Sequence, residues 1–266
     1  MTLQSYWQEQ TWRSRKLPDF LIVGAQKAGT TTLSYLLGQH PHVFMPYFKE
    51  AHFFNLSYRN GLKFYARHFP LSYKVRIKNV CVGEATPDYI FFPQCPALIK
   101  ETLPTVKIIV LLRDPVSRAI SHYKHNVQMR RESLDLADAL SFEIMRIQPK
   151  LVNISESPIE VLKDYSNYSY FSKGLYADQL DRYFALFPKS NILLVDSRDL
   201  KTNMKKVYRQ TLSFLGLDDA SEIDFSTKNE SKVKVDVPQK VKDILKKKYF
   251  EPNKRLAQKY GLDFNH

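Results

Sequence analysis

Long apolar runs are missing from this 266-residue sequence. A bilayer span needs about 20 consecutive apolar residues, and the longest runs here, at 20–25 and 108–112, are far shorter. A soluble, cytoplasmic protein is expected. Residues 1–17 are polar and aromatic, without the apolar stretch and small-residue cleavage site of a secretory leader, and read as an N-terminal extension. Cysteine is scarce too. Cys81 and Cys95 make no disulfide framework for a chain of this length and no CxxC pair exists, so reduced thiols are expected. No Gly/Ser linker, repeat or low-complexity segment divides the chain, which implies a single domain over residues 1–266.

Positive charge is plentiful. Lys and Arg number 40 against 27 Asp and Glu, a net of +13, and between residues 228 and 260 ten Lys and one Arg face four acids. Such a balance points to an anionic partner: a nucleotide, a sulfated or carboxylated glycan, nucleic acid, or an acidic carrier protein. Lys246, Lys247 and Lys248 equally suit a solvated helix face. No nucleic-acid motif is present.

The run Asp19-Phe-Leu-Ile-Val-Gly24 suits a strand buried on both faces. A helical pattern with Leu33, Leu36 and Leu37 on one face follows it and stops near His40-Pro41. Residues 106–112 and 191–196 repeat the buried-strand pattern, and 80–84 is a shorter strand. Pro115 opens a helix over 116–130, and Gly216 ends another that carries Met204, Val207, Leu212 and Leu215. Strands alternating with helices predict an α/β three-layer sandwich around a parallel sheet. Residues 148–170, rich in Ser, Asn and Tyr, have no clean period and are expected to form a long loop near the functional site.

Gly24-Ala-Gln-Lys-Ala-Gly29-Thr30-Thr31 lies between the first strand and the first helix with the glycine spacing of a phosphate loop. Glycines let backbone N–H groups turn toward an anion, and the helix start adds positive potential. A nucleotide triphosphatase would carry Gly-Lys-Ser/Thr at the end of this loop. Here Thr30 takes that lysine's place and the lysine moves back to Lys27. No Walker-B acid is evident either: Leu112 leads into Arg113, and Asp196 reads as a turn residue. The loop suits a nucleotide whose reactive group is not a γ-phosphoryl.

Gln26-Lys-Ala-Gly-Thr-Thr-Thr-Leu33 resembles the 5′-phosphosulfate loop of sulfotransferases that use 3′-phosphoadenosine 5′-phosphosulfate (PAPS). Leu111-Leu-Arg-Asp-Pro-Val-Ser-Arg-Ala-Ile-Ser-His-Tyr123 resembles their 3′-phosphate signature. Lys49-Glu-Ala-His-Phe-Phe54, Gly83-Glu-Ala-Thr-Pro-Asp-Tyr89, Lys173-Gly-Leu-Tyr176 and Tyr249-Phe-Glu-Pro-Asn-Lys254 are similar to the heparan sulfate 3-O- and N-sulfotransferase branch. The resemblance runs from about Asp19 to the C-terminus. It implies PAPS as donor and 3′-phosphoadenosine 5′-phosphate (PAP) as product, with no metal required.

The same resemblance implies roles. Lys27, with Ala28, Gly29, Thr30, Thr31 and Thr32, would hold the 5′-phosphosulfate. Thr32 can instead face away as an ordinary helix residue. Arg113 and Ser121 would take the 3′-phosphate, unless Arg113 simply pairs with Asp114, while Arg118 reads as a helix-surface charge. Glu50 would be the general base, its pKa raised by desolvation among Phe48, Phe53 and Phe54, with His52 orienting the acceptor. Their alternatives are an exposed acid and a packed polar residue. Tyr176, Ser231 and Lys232 would close over the adenosine and its phosphates, with Lys228 and Lys234 nearby.

Departures from the heparan-type pattern matter. Ala85 stands where those members carry lysine, Asn55 where the 3-O branch carries aspartate, and Val233 where a glycine is usual; no cysteine follows Cys95. These differences point to a bacterial-type relative sulfating the hydroxyl, or the amine, of another carbohydrate or of a small natural product. The competing readings are a P-loop nucleotide kinase and a non-catalytic anion- or glycan-binding module.

Overall fold

The computed structural model describes residues 10–47, 49–147, 157–220, 222–225 and 236–265. Its centre is one sheet of five parallel strands: β1 (Phe20–Gly24), β2 (Val43–Phe44), β3 (Cys81–Ala85), β4 (Lys107–Leu112) and β5 (Ile192–Asp196). Their order across the sheet is β2-β3-β1-β4-β5. The four strands expected from the apolar runs are all present. Only β2 escapes such a reading, because two residues carry no alternation.

β1 is buried at every position, and β4 at all but Lys107. Both faces of the sheet centre are therefore covered, the usual state of a parallel sheet. Each large apolar side chain buried there contributes roughly 1.5–3 kcal/mol. β1 pairs with β4 from Phe20↔Lys107 to Gly24↔Val110. From β1 the chain leads toward β2 and β3 at one edge; from β4 it leads to β5 at the other. The carboxyl ends of β1 and β4 thus flank the point where an open α/β sheet forms its binding crevice.

The helices used below are α1 (Thr30–Gly38), α2 (Pro115–Gln128), α3 (Ile159–Tyr168), α4 (Tyr176–Phe184), α5 (Met204–Leu215) and α6 (Gln239–Tyr260). Asp114 caps α2 by accepting from the Ser117 N–H at 2.7 Å, with Pro115 at the first helical position. Gly216 closes α5 in the left-handed region, as expected.

Two expectations are corrected. The stretch 148–170 is not a loop throughout: residues 148–156 lie outside the described residues, and 159–168 form α3. Its inward face is Leu162, Tyr165 and Ser166, and Tyr165 stacks on Phe91 at 4.5 Å. The serine hides the helical period because it faces inward for hydrogen bonding. Arg118 is not a surface charge either. It is fully buried, and its guanidinium donates to the Tyr170 carbonyl. Within the N-terminal extension, Arg15 donates to the Phe69 carbonyl and the Lys16 N–H to Pro70 at 2.9 Å, which ties this end to the body.

Candidate active site

β1 ends at Gly24, where a Cβ would lie 2.3 Å from Ile90 Cγ2. Only glycine allows the loop after β1 to pass so close to the segment after β3. That segment folds back on β1 through Thr86 N–H to Ile22 O (3.1 Å) and Ile90 N–H to Val23 O (2.8 Å). The loop turns into α1 at Gly29, whose φ of 101° is left-handed and whose added Cβ would meet Leu200 at 2.9 Å.

The first turn of α1 presents N–H groups without intrahelical partners, and they belong to the predicted residues Thr30, Thr31 and Thr32. The Ala28 N–H is otherwise engaged: it donates to Ala25 O at 3.1 Å, so Ala28 shapes the loop instead of offering a donor. Thr30 and Thr32 are buried, while Thr31 is partly open and accepts from Lys49 Nζ at 2.6 Å.

Arg113 leaves β4 and donates through Nη1 to the Lys27 carbonyl at 3.0 Å. The two segments expected to hold the cofactor are thus joined directly, through residues 86 apart in the sequence. Asp114 serves as the α2 cap, so the local Arg113–Asp114 pair is not what holds the arginine. Ser121 is half-buried, about two turns into α2. Tyr176 is buried at the start of α4 and donates to the Arg113 carbonyl at 2.9 Å, just past the end of β4. Ser231 and Lys232, with Lys228 and Lys234, lie outside the described residues, as does Phe48.

Glu50 and His52 form a pair, His52 Nε2 lying 3.2 Å from Glu50 Oε2. Asn55 Nδ2 lies 3.2 Å from His52 Nδ1, so both ring nitrogens of His52 have a polar neighbour. Lys49 reaches the other carboxylate oxygen at 3.1 Å. Lys27, Glu50 and His52 all have positive φ, at 70°, 73° and 48°. Such backbone costs about 1–3 kcal/mol per residue and persists where surroundings enforce it. Around His52 the enforcement is visible: Thr86 Oγ1 accepts from His52 N–H (3.4 Å), Tyr89 Oη from Phe53 N–H (2.9 Å), and a π-type turn closes through Ser57 N–H to His52 O (3.0 Å).

Electrostatics refine one expectation. Burial does push the Glu50 carboxyl up, but the His52 hydrogen bond and the Lys49 and His52 charges outweigh it, and its pKa falls below the ordinary value. His52 moves the other way. Burial lowers it, yet the Glu50 hydrogen bond and the Asp88, Glu50 and Glu84 charges raise it overall. Lys27 is lowered, by burial first and then by Arg113 and Lys49. These three cations crowd one loop, an arrangement that suits a bound polyanion.

Several residues here were not singled out as site residues from the sequence. Lys49 has no spacing rule that marks it. Glu84 is 2% exposed, takes hydrogen bonds from Thr86 and from Tyr65 (3.2 Å), and burial raises it to about 7. Asp88 and Lys173 form a buried ion pair at 2.6 Å. Both belong to segments that the resemblance had marked, and only packing shows that they meet. Ala85 ends β3, buried against β1.

A mouse heparan sulfate glucosamine 3-O-sulfotransferase 3B1 is 33% identical over 207 residues, covering 77% of this chain and 47% of the mouse protein. The membrane-associated sulfotransferase kil1 of Dictyostelium discoideum is 39% identical over 127 residues, which is 48% of this chain and 27% of that protein. The chain thus spans less than half the length of these curated relatives. A solved sulfotransferase from Alicyclobacillus acidocaldarius superposes with a TM-score of 0.72 at 28% identity, covering 93% of this chain and 97% of that one. The sulfotransferase domain pattern itself matches residues 17–259. With nearly its whole length accounted for in this way, the chain belongs to the sulfotransferase family.

Proposed function

We propose that this chain transfers the sulfuryl group of PAPS to a hydroxyl, or an amine, of a carbohydrate or small natural-product acceptor. One observation carries the reading. Lys49 Nζ touches both Thr31 Oγ1 of the donor loop and Glu50 Oε1, so donor cradle and base lie one side chain apart. A sulfuryl group passing in line between them has a donor side and an acceptor side already in place.

In the proposed step the acceptor oxygen attacks sulfur, its proton passes to Glu50, and the S–O bond to the 5′-phosphate breaks, releasing PAP. Glu50 enters ionised because its pKa lies below the ordinary carboxylate value. His52 Nε2 orients that carboxylate. Lys27 and the N–H groups of Gly29, Thr30 and Thr31 oppose the charge growing on the leaving oxygen. Arg113 and Ser121 are assigned to the 3′-phosphate. The kinase alternative gains nothing here, since Asp196 caps the following helix and pairs with Arg198 at 2.6 Å.

Calorimetry with PAP set against ATP tests the donor assignment. PAP is expected to bind and ATP much more weakly; ATP equal to PAP would overturn the reading. Lys27→Ala is expected to abolish transfer from PAPS.

A further inference from the structure

Lys173 lies between the two walls of the site and belongs to neither cofactor motif. It is 3% exposed. Its ammonium has three donors, and three oxygens receive them: Asp88 Oδ1 at 2.6 Å, Ser166 Oγ at 2.9 Å and Gln26 Oε1 at 3.1 Å. Gln26 precedes Lys27 in the donor loop. Asp88 sits between Thr86 and Tyr89, which hold the backbone of His52 and Phe53. Ser166 projects from α3 and donates its hydroxyl proton to Asp88 Oδ2.

A buried ion pair is weak evidence for stability, since an apolar replacement of similar volume often does as well. What an apolar group cannot do is hold three oxygens from three elements at fixed separations. We infer that Lys173 is a positioning residue that sets the register of the donor loop against the acceptor wall. The inference rests on the proposed sulfotransferase site. In this role the lysine touches neither donor nor acceptor; it acts through Gln26 on one side and through the 86–89 segment on the other.

Lys173→Met alone strands a buried carboxylate, so the informative protein is the charge-balanced Lys173→Met/Asp88→Asn variant, with Gln26→Leu as a milder partner. Once each is shown to be folded by its thermal transition, PAP binding is measured by calorimetry. The expected result is about a tenfold rise in Kd for the double variant and a smaller rise for Gln26→Leu. A folded double variant binding PAP as wild type does would overturn the inference. Hydrogen exchange of the amides at 25–31 reads the tether without any ligand. Faster exchange in the double variant supports it, and unchanged protection sinks it. Wild-type chain that ignores PAP would refute the donor assignment, while the exchange experiment would still decide the role of Lys173.

Discussion

At the scale of single residues, the Glu50–His52 pair carries the sharpest expectations. Glu50→Gln keeps the shape of the side chain but removes the proton acceptor. Turnover is expected to fall by about 100-fold or more, a common size for a lost general base, with PAP affinity nearly unchanged in calorimetry. The shifts also shape stability. Glu50 is lowered in the folded chain, so its contribution is present above its unfolded value near 4.5 and is lost as pH falls through the folded one. His52 is raised, so its contribution is full below its unfolded value near 6.5 and fades as pH rises through the folded one. Glu84 runs against Glu50. Raised to about 7, it makes the folded chain hold a proton that the unfolded chain releases above about 4.5, and the fold loses stability as pH climbs to 7. Glu84→Gln should flatten that loss, worth up to about 3 kcal/mol, in denaturant titrations at pH 5 and 8. A variant with the wild-type slope would show that Glu84 ionises normally.

At the scale of elements, the donor loop depends on glycine at its helix end. Gly29→Ala meets both a left-handed φ and Leu200 at 2.9 Å. The backbone strain alone is roughly 1–2 kcal/mol, so the variant is expected to lower the thermal midpoint and weaken PAP binding together. The sheet was legible in the sequence because β1 and β4 lie at its centre and are apolar almost throughout. The glycine-bounded turn after β1 was legible for a related reason: its glycines answer to local backbone geometry, which spacing reports. α3 was hidden, since Ser166 faces inward only to meet Asp88 and Lys173. Arg118 was hidden likewise, because an arginine on a helix gives no sign of the Tyr170 carbonyl that receives it. The Ala28 N–H and the place of Tyr176 depend on hydrogen bonds that only the folded loop defines.

At the scale of the molecule, the net charge of +13 favours anionic partners in general. Lys246, Lys247 and Lys248 are exposed on α6, as a solvated helix face requires. The same helix is fastened to α4, where Arg255 pairs with Asp178 and Asp181, and Lys259 with Asp181 at 2.6 Å. Among the described residues, no helix is long and apolar enough to cross a membrane. PAP affinity is expected to drop steadily from about 0.01 M to about 1 M salt, as the screening length shrinks from about 30 Å to about 3 Å. Salt-independent binding measured by calorimetry would argue against a charge-gathered donor. The bond from Arg113 to the Lys27 carbonyl has a consequence for anyone seeking to re-engineer donor preference. If Lys27 and Arg113 hold opposite ends of the nucleotide, as proposed, loosening one end should loosen the other, so substitutions at the two should combine non-additively in a double-mutant cycle.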